Sequence, residues 1–254
     1  MTNKLMDTVN QARRDMLKTG AAAAAVVTLA PGITLHTAQA AVSGPATNAK
    51  RWGMLVDANA PEAVWDVAVQ ACKTEQGWGE GSNKSGETND ATDPQWIRKV
   101  SLKDPKTGAK ATLPVMCQHC AKPPCVDVCP TGASMKRADG IVLVDKHICI
   151  GCRFCMMACP YSCRSFVHED VQRQRPHMPR GKGTVEACTM CVHRVDKGQQ
   201  PACVEALNKA GSNAIMFGDL NDPNSDIARA VAKYKTQRIR ADLGVEPGVH
   251  YRGI

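Results

Sequence analysis

The sequence predicts an α+β protein assembled around metal–thiolate centres, with only modest hydrophobic packing. Three observations carry that expectation. The chain of 254 residues holds 13 cysteines. Aromatic residues make up only 4% of it, so apolar side chains alone have little large surface to bury. The cysteines also fall in tight groups, the tightest running from Cys149 to Pro160 as C-I-G-C-R-F-C-M-M-A-C-P. Four thiols spaced x2, x2, x3 and followed by proline suit a loop wrapped around a cubane iron–sulfur cluster. The first three thiolates take three irons of one cluster, and the fourth points away to the neighbouring cluster of a two-cluster module. Pro160 lacks an N–H and helps end the turn. A zinc site usually needs two separated pairs of ligands converging on one ion, and a disulfide scaffold has no reason to choose this spacing.

The length allows one large or two small domains. Net charge is +8, and +6 from Ala41 onward. Each four-thiolate cubane brings roughly −2 when oxidised, so a basic excess is expected around such centres. No Lys/Arg run is interleaved with aromatics, which argues against a nucleic-acid face. Residues 1–40 read as a twin-arginine export signal and are left out of the fold. Arg13-Arg14 precedes Asp15-Met16-Leu17-Lys18, then an apolar run at 20–30, then Ala38-Gln39-Ala40 as a cleavage site. The apolar run is too short to span a bilayer. Such a signal implies a periplasmic protein peripheral to the cytoplasmic membrane, loaded with metal in the reducing cytoplasm before export. No later stretch is apolar enough to cross a membrane, so membrane contact is expected only through partners.

Beyond the signal, residues 51–57 read as a strand and 61–73 as a helix, with Val64, Ala68 and Ala71 on its apolar face and Cys72 near its end. Residues 74–110 are rich in Gly, Asn, Asp, Ser and Thr and read as a long polar insertion anchored by Trp78 and Trp96. Residues 113–116 lead into Cys117, Cys120, Cys125 and Cys129-Pro130, where Pro123-Pro124 stiffens a two-residue insertion. His119 lies inside that loop, but the cysteines already suffice as ligands. Residues 134–145 read as strand, turn, strand, with Asp139-Gly140 at the turn. Residues 161–187 lack periodicity and read as a surface excursion. A third group follows as Cys188, Cys191 and Cys203, with no C-x-x-C-H to hold a haem covalently. Residues 214–218 read as a strand. Ser225 caps a helix expected over 226–243, with Ile227, Ala230, Val231 and Tyr234 on one face. The tail 244–254 is expected to lie extended on the domain or on a partner. There is no nucleophile–base constellation and no nucleotide-binding loop, so a catalytic subunit is not expected.

The phrases C-Q-H-C-A-K-P-P-C-V-D-V-C-P-T-G-A, C-I-G-C-R-F-C-M-M-A-C-P-Y and C-T-M-C-V-H-R-V-D-K-G-Q-Q-P-A-C-V-E-A carry a resemblance. The chain resembles the exported iron–sulfur subunits that accompany molybdopterin reductases and related quinone-linked membrane complexes, over nearly all of its length beyond the signal. That resemblance implies two pseudo-symmetric two-cluster ferredoxin-like modules with long loop insertions and a C-terminal helix. One module would be 50–75 plus 185–222, the other 113–166, with 223–254 as helix and tail. The family pattern supplies ligands for four clusters. Here four of those places hold Glu62, Trp65, Ala68 and Leu207, all belonging to one cluster. The resemblance therefore implies three [4Fe–4S] clusters. Cys117, Cys120 and Cys125 with Cys159 hold one. Cys149, Cys152 and Cys155 with Cys129 hold another. Cys188, Cys191 and Cys203 with Cys72 hold the third, and Cys163 is left over as a small packed residue. The implied role is non-catalytic electron transfer in sulfur-compound metabolism. The implied partners are an integral membrane quinone-interacting subunit and a multihaem cytochrome or other redox subunit. Rival readings are the iron–sulfur subunit of a molybdopterin oxidoreductase of polysulfide or tetrathionate type, a free soluble ferredoxin, and a zinc or disulfide scaffold without redox chemistry.

Overall fold

Met54, Leu55 and Val56 are consecutive and all buried, the signature of a strand covered on both faces and paired on both edges. In the computed structural model they form the middle of Trp52–Asp57, the second strand of a four-stranded mixed sheet. Ile215–Asp219 pairs with it antiparallel on one edge, in the register Ile215 to Val56 and Asp219 to Trp52. Val249–Arg252 pairs with it in parallel on the other edge, and Thr236–Gln237 closes the sheet. The structure describes residues 27–30, 33–35, 46–79, 82, 85, 92–103, 105–106, 108, 110–172 and 174–254. Residues 44–254 form one contact unit. In the other, Val27–Ala30 and Ile33–Leu35 pair as a short hairpin. The arginine pair and the cleavage site expected near the N-terminus lie outside the described residues.

The expected helix is present as Glu62–Gln76. It runs one turn further than expected because Gly77 adopts φ 69° and donates its N–H to the Lys73 carbonyl, a left-handed C-terminal cap. Its buried stripe is Trp65, Ala68, Cys72 and Gln76, while Val64 and Ala71 are only half-buried. That stripe packs against the helix Ala202–Lys209, which buries Cys203, Val204 and Leu207. One buried cluster of side chains runs from Met54 and Trp65 through the thiols to Tyr251.

The polar insertion differs from expectation. Ile97–Lys103 and Lys110–Met116 form an antiparallel hairpin over its second half. Trp78 and Trp96 do anchor it, at 4% and 1% exposure. The Ser134–Lys136 and Val142–Val144 hairpin is present as expected. The segment 161–187 is not merely a surface excursion, since Arg164, Val167, Arg180 and Glu186 are buried. Its ends pair as Ser165–Phe166 with Val185–Glu186. Ser225 does cap a helix, accepting the Ala228 N–H at 3.1 Å. That helix ends at Lys233, ten residues before the expected limit, and Tyr234 turns extended at ψ 147°. The chain is then needed in the sheet, where Thr236 pairs with Arg252.

Candidate iron–sulfur centres

All 13 cysteines are free thiols. The fold gathers twelve of them into three groups. Cys72, on the long helix, faces Cys188, Cys191 and Cys203, and burial together with these neighbours pushes the Cys72 and Cys188 thiols well up. Cys117 and Cys120 are pushed up to about 12 and about 11, first by burial and then by Cys125 and Cys159. Cys129, Cys149, Cys152 and Cys155 line one small cavity with Ser134 and Val185. Each group therefore draws on two separate stretches of chain. Thiols so buried and so close together would ionise only beside cationic metal.

Local backbone explains how the loops turn. The residue before the second cysteine of each group is His119, Gly151 or Met190, and all three have positive φ, at 43°, 70° and 50°. The left-handed conformation bends the chain so that its amides and thiols face inward. At Gly151 the requirement is also steric, because an added Cβ would collide with the Gly183 carbonyl.

Polar groups then converge on sulfur. Gln76 donates Nε2–H to Cys191 Sγ at 3.2 Å, and Trp78 donates Nε1–H to Cys72 Sγ at 3.3 Å. The Ser134 amide donates to Cys129 Sγ at 3.3 Å and the Met190 amide to Cys188 Sγ at 3.4 Å. Cys159 is lowered to about 6, chiefly by a hydrogen bond from the Cys163 thiol, whose sulfur also lies 3.2 Å from the Tyr161 carbonyl. Cys163 is packed in the core, as expected, and also touches a ligand candidate. His119 is fully buried, and its Nδ1 accepts the Val142 N–H at 3.0 Å, which leaves the proton on Nε2. Burial first, then Arg51 and Arg164, lower His119 to about 3, so the ring is neutral.

The fit to an iron–sulfur cofactor can be tested on groups the protein leaves unsatisfied. Buried polar atoms are nearly always hydrogen-bonded. Among the described residues, His119 Nε2, Ser134 Oγ, Thr189 Oγ1 and Arg164 Nε and Nη1 are buried without a partner. His119 and Thr189 lie between paired cysteines, and Arg164 faces Cys125, Cys117 and Cys155. Donors left open beside all-thiolate groups fit an acceptor rich in sulfide.

Three of the four residues that stand where the family pattern would put the ligands of a further cluster are buried. Trp65, Ala68 and Leu207 are each 0% exposed and belong to the main core. Trp65 donates Nε1–H to the Thr112 carbonyl at 2.9 Å, tying the helix to the hairpin. Glu62 lies on the surface near Lys99, 3.7 Å away.

Sequence reasoning missed several residues here. Arg51 donates to the His119 carbonyl at 2.6 Å and the Gly140 carbonyl at 2.9 Å, holding the Cys117 loop against the sheet. Arg180 and Glu186, both 0% exposed in their side chains, pair at 2.9 Å. Glu186 also accepts from Trp96 Nε1 at 3.1 Å, so this network fixes the approach to Cys188. Arg164 was missed although it directly follows Cys163 in C-P-Y-S-C-R; that adjacency was the available signal.

Residues 109–220 match the 4Fe-4S dicluster domain family. The chain is 39% identical to the Hdr-like menaquinol oxidoreductase iron-sulfur subunit 1 of Archaeoglobus fulgidus, over 94% of this chain and 96% of that one. It is 32% identical to the arsenate respiratory reductase iron-sulfur subunit ArrB of a Shewanella species, over 79% and 95%. It is 40% identical to the protein NrfC of Escherichia coli, over 53% and 54%.

Proposed function

Because the chain belongs to the family of iron–sulfur subunits of Hdr-like menaquinol oxidoreductases and molybdopterin reductases, we propose that it is an electron-transfer subunit carrying three [4Fe–4S] clusters. The observation that carries this reading is the gathering of twelve thiols into three groups of four. Cys117, Cys120, Cys125 and Cys159 would hold one cluster. Cys129, Cys149, Cys152 and Cys155 would hold the second, and Cys72, Cys188, Cys191 and Cys203 the third. Bound clusters supply one-electron redox chemistry. The chain's own part is to hold them close together, keep water away and set their potentials through burial and hydrogen bonds to sulfur. Four thiols per group leave no iron site for a substrate, which supports a wire over a catalyst.

The partners we propose are an integral membrane quinone-interacting subunit on one side and a multihaem cytochrome or other redox subunit on the other. Supporting a membrane partner, no helix among the described residues is long and apolar enough to cross a membrane, while the relative from Archaeoglobus fulgidus is named for menaquinol. Arg13-Arg14 and the apolar run after them support export by the twin-arginine route to the periplasm. Within the family, C-P-Y-S-C-R-S-F-V-H-E-D and C-V-H-R-V-D-K-G resemble DsrO, the ferredoxin-like subunit of a sulfur-metabolism membrane complex, and this favours sulfur compounds as the ultimate redox partners. The test is iron and acid-labile sulfide in anaerobically purified protein. About twelve irons per chain are expected from three cubanes. About sixteen would refute the three-cluster count, and little iron would refute the reading as a whole.

A further inference from the structure

Two buried arginines sit in the same stretch of chain and are treated differently by the fold. Arg180 has Glu186 at 2.9 Å as its counter-charge. Arg164 is only 5% exposed, yet the groups facing it are the neutral thiols of Cys125, Cys117 and Cys155. Its Nε and Nη1 find no hydrogen-bond partner among the described residues. Burying a guanidinium beside neutral thiols alone is costly, so a counter-charge is expected where it points. Cys117 and Cys125 belong to one thiol group and Cys155 to the other. The side chain therefore lies at the seam between two groups and touches both.

We propose that Arg164 is the shared counter-charge of two clusters, those on Cys117, Cys120, Cys125, Cys159 and on Cys129, Cys149, Cys152, Cys155, and that it raises both reduction potentials together. This rests on the iron–sulfur reading given above. Adding one electron to a cluster makes it more negative by one charge. A fixed positive charge at the seam stabilises the reduced form over the oxidised form of each neighbour. In a dry interior this interaction is little screened. The planar fork of the guanidinium, with donors on several edges, suits two acceptors on different sides better than a point charge would. Arg164 also works against the repulsion between two reduced neighbours, so both can hold electrons at once. The third cluster, on Cys72, Cys188, Cys191 and Cys203, has no contact with it: burial, Gln76 and Trp78 set that environment instead.

The experiment compares full-length wild type, Arg164→Met and Arg164→Lys, purified anaerobically, by iron and sulfide content and by redox titration followed with paramagnetic resonance. Cys191→Ser identifies which signal belongs to the third cluster. In Arg164→Met the reduced-to-oxidised ratio of two clusters at a fixed potential should fall at least tenfold, about 59 mV for a one-electron couple. The third signal should stay in place, and Arg164→Lys should recover most of the loss. Full iron content with unmoved potentials would overturn the proposal, as would an equal shift of all three signals. Should Arg164→Met lose iron while Arg164→Lys keeps it, the charge requirement is supported; loss from both variants indicates a packing role and overturns it. Wild-type protein without clusters refutes the iron–sulfur reading itself, before any variant is compared.

Discussion

Trp65→Ala is the sharpest probe of the proposal that side chains occupy the place of a fourth cluster. Trp65 is 0% exposed, belongs to the same buried cluster as Ala68 and Leu207, and donates Nε1–H to the Thr112 carbonyl at 2.9 Å. Truncating a fully buried tryptophan costs about 3–5 kcal/mol, combining lost transfer energy with the cavity left behind. The hydrogen bond accounts for about 1 kcal/mol of that. Domains of this kind are stable by only about 5–15 kcal/mol, so the loss is a large share of the whole. The assay is anaerobic denaturant unfolding of holoprotein, followed by the visible absorption of the clusters and by circular dichroism. Trp65→Ala should unfold at much lower denaturant with an unchanged iron content. Trp65→Phe keeps most of the ring and should lose about 1 kcal/mol, chiefly the bond to Thr112. An alanine variant within about 0.5 kcal/mol of wild type would refute tight packing at this place. A wild type holding about four more irons than three cubanes supply would refute the filled site altogether.

Three further outcomes are expected. Replacing Arg13 and Arg14 together by lysine should strand cluster-loaded protein in the cytoplasm, measured by cell fractionation; unchanged export would mean the N-terminus is no twin-arginine signal. Cys191→Ser should perturb one cluster and block electron exchange with one partner only, measured by reducing the complex from each side in turn; equal loss from both sides would place that cluster inside the wire and not at its end. His250 is 6% exposed and is lowered to about 4, first by burial and then by Arg238 and Arg51. Its folded-state value lies below the unfolded value of 6.5, so its contribution is complete above pH 6.5 and is lost as pH falls toward about 4. Across that window wild type should lose more stability than His250→Gln; parallel curves would remove His250 from the account.

Cysteine spacing was the most legible feature, because a cluster-binding loop must place its thiols within one short stretch and the chemistry is therefore written locally. The strand Trp52–Asp57 and the start of the Glu62–Gln76 helix were legible for a similar reason: their apolar residues are contiguous or periodic. The hairpin of Ile97–Lys103 with Lys110–Met116 was not, since only Ile97 of the first strand is fully buried, Arg98 and Val100 are half-buried, and the last three residues are exposed. The early end of the Asp226–Lys233 helix is a tertiary effect. Nothing between 234 and 243 forbids a helix, but Thr236 gains a strand partner in Arg252. Arg164, Arg180 and Glu186 were hidden because charge in an aperiodic segment reads as surface, and what buries each one comes from distant parts of the chain.

The strand Val249–Arg252 has neighbours on both edges, and the turn before it grips the Cys117 loop. Gly248 donates to the Gln118 carbonyl, Ala121 to Glu246, and Lys122 to Val245. During synthesis these partners emerge far apart in time. The thiols from Cys117 to Cys159 can meet while the ribosome is still adding residues, whereas Cys72 must wait for Cys203 and the sheet must wait for Arg252. Long-range closures of this kind are slow and come late. The order in which the thiol groups can form thus follows strand order: two of them can gather in a half-made chain, the third only near the end. The segment 245–252 then closes over the Cys117 loop, which was made long before it.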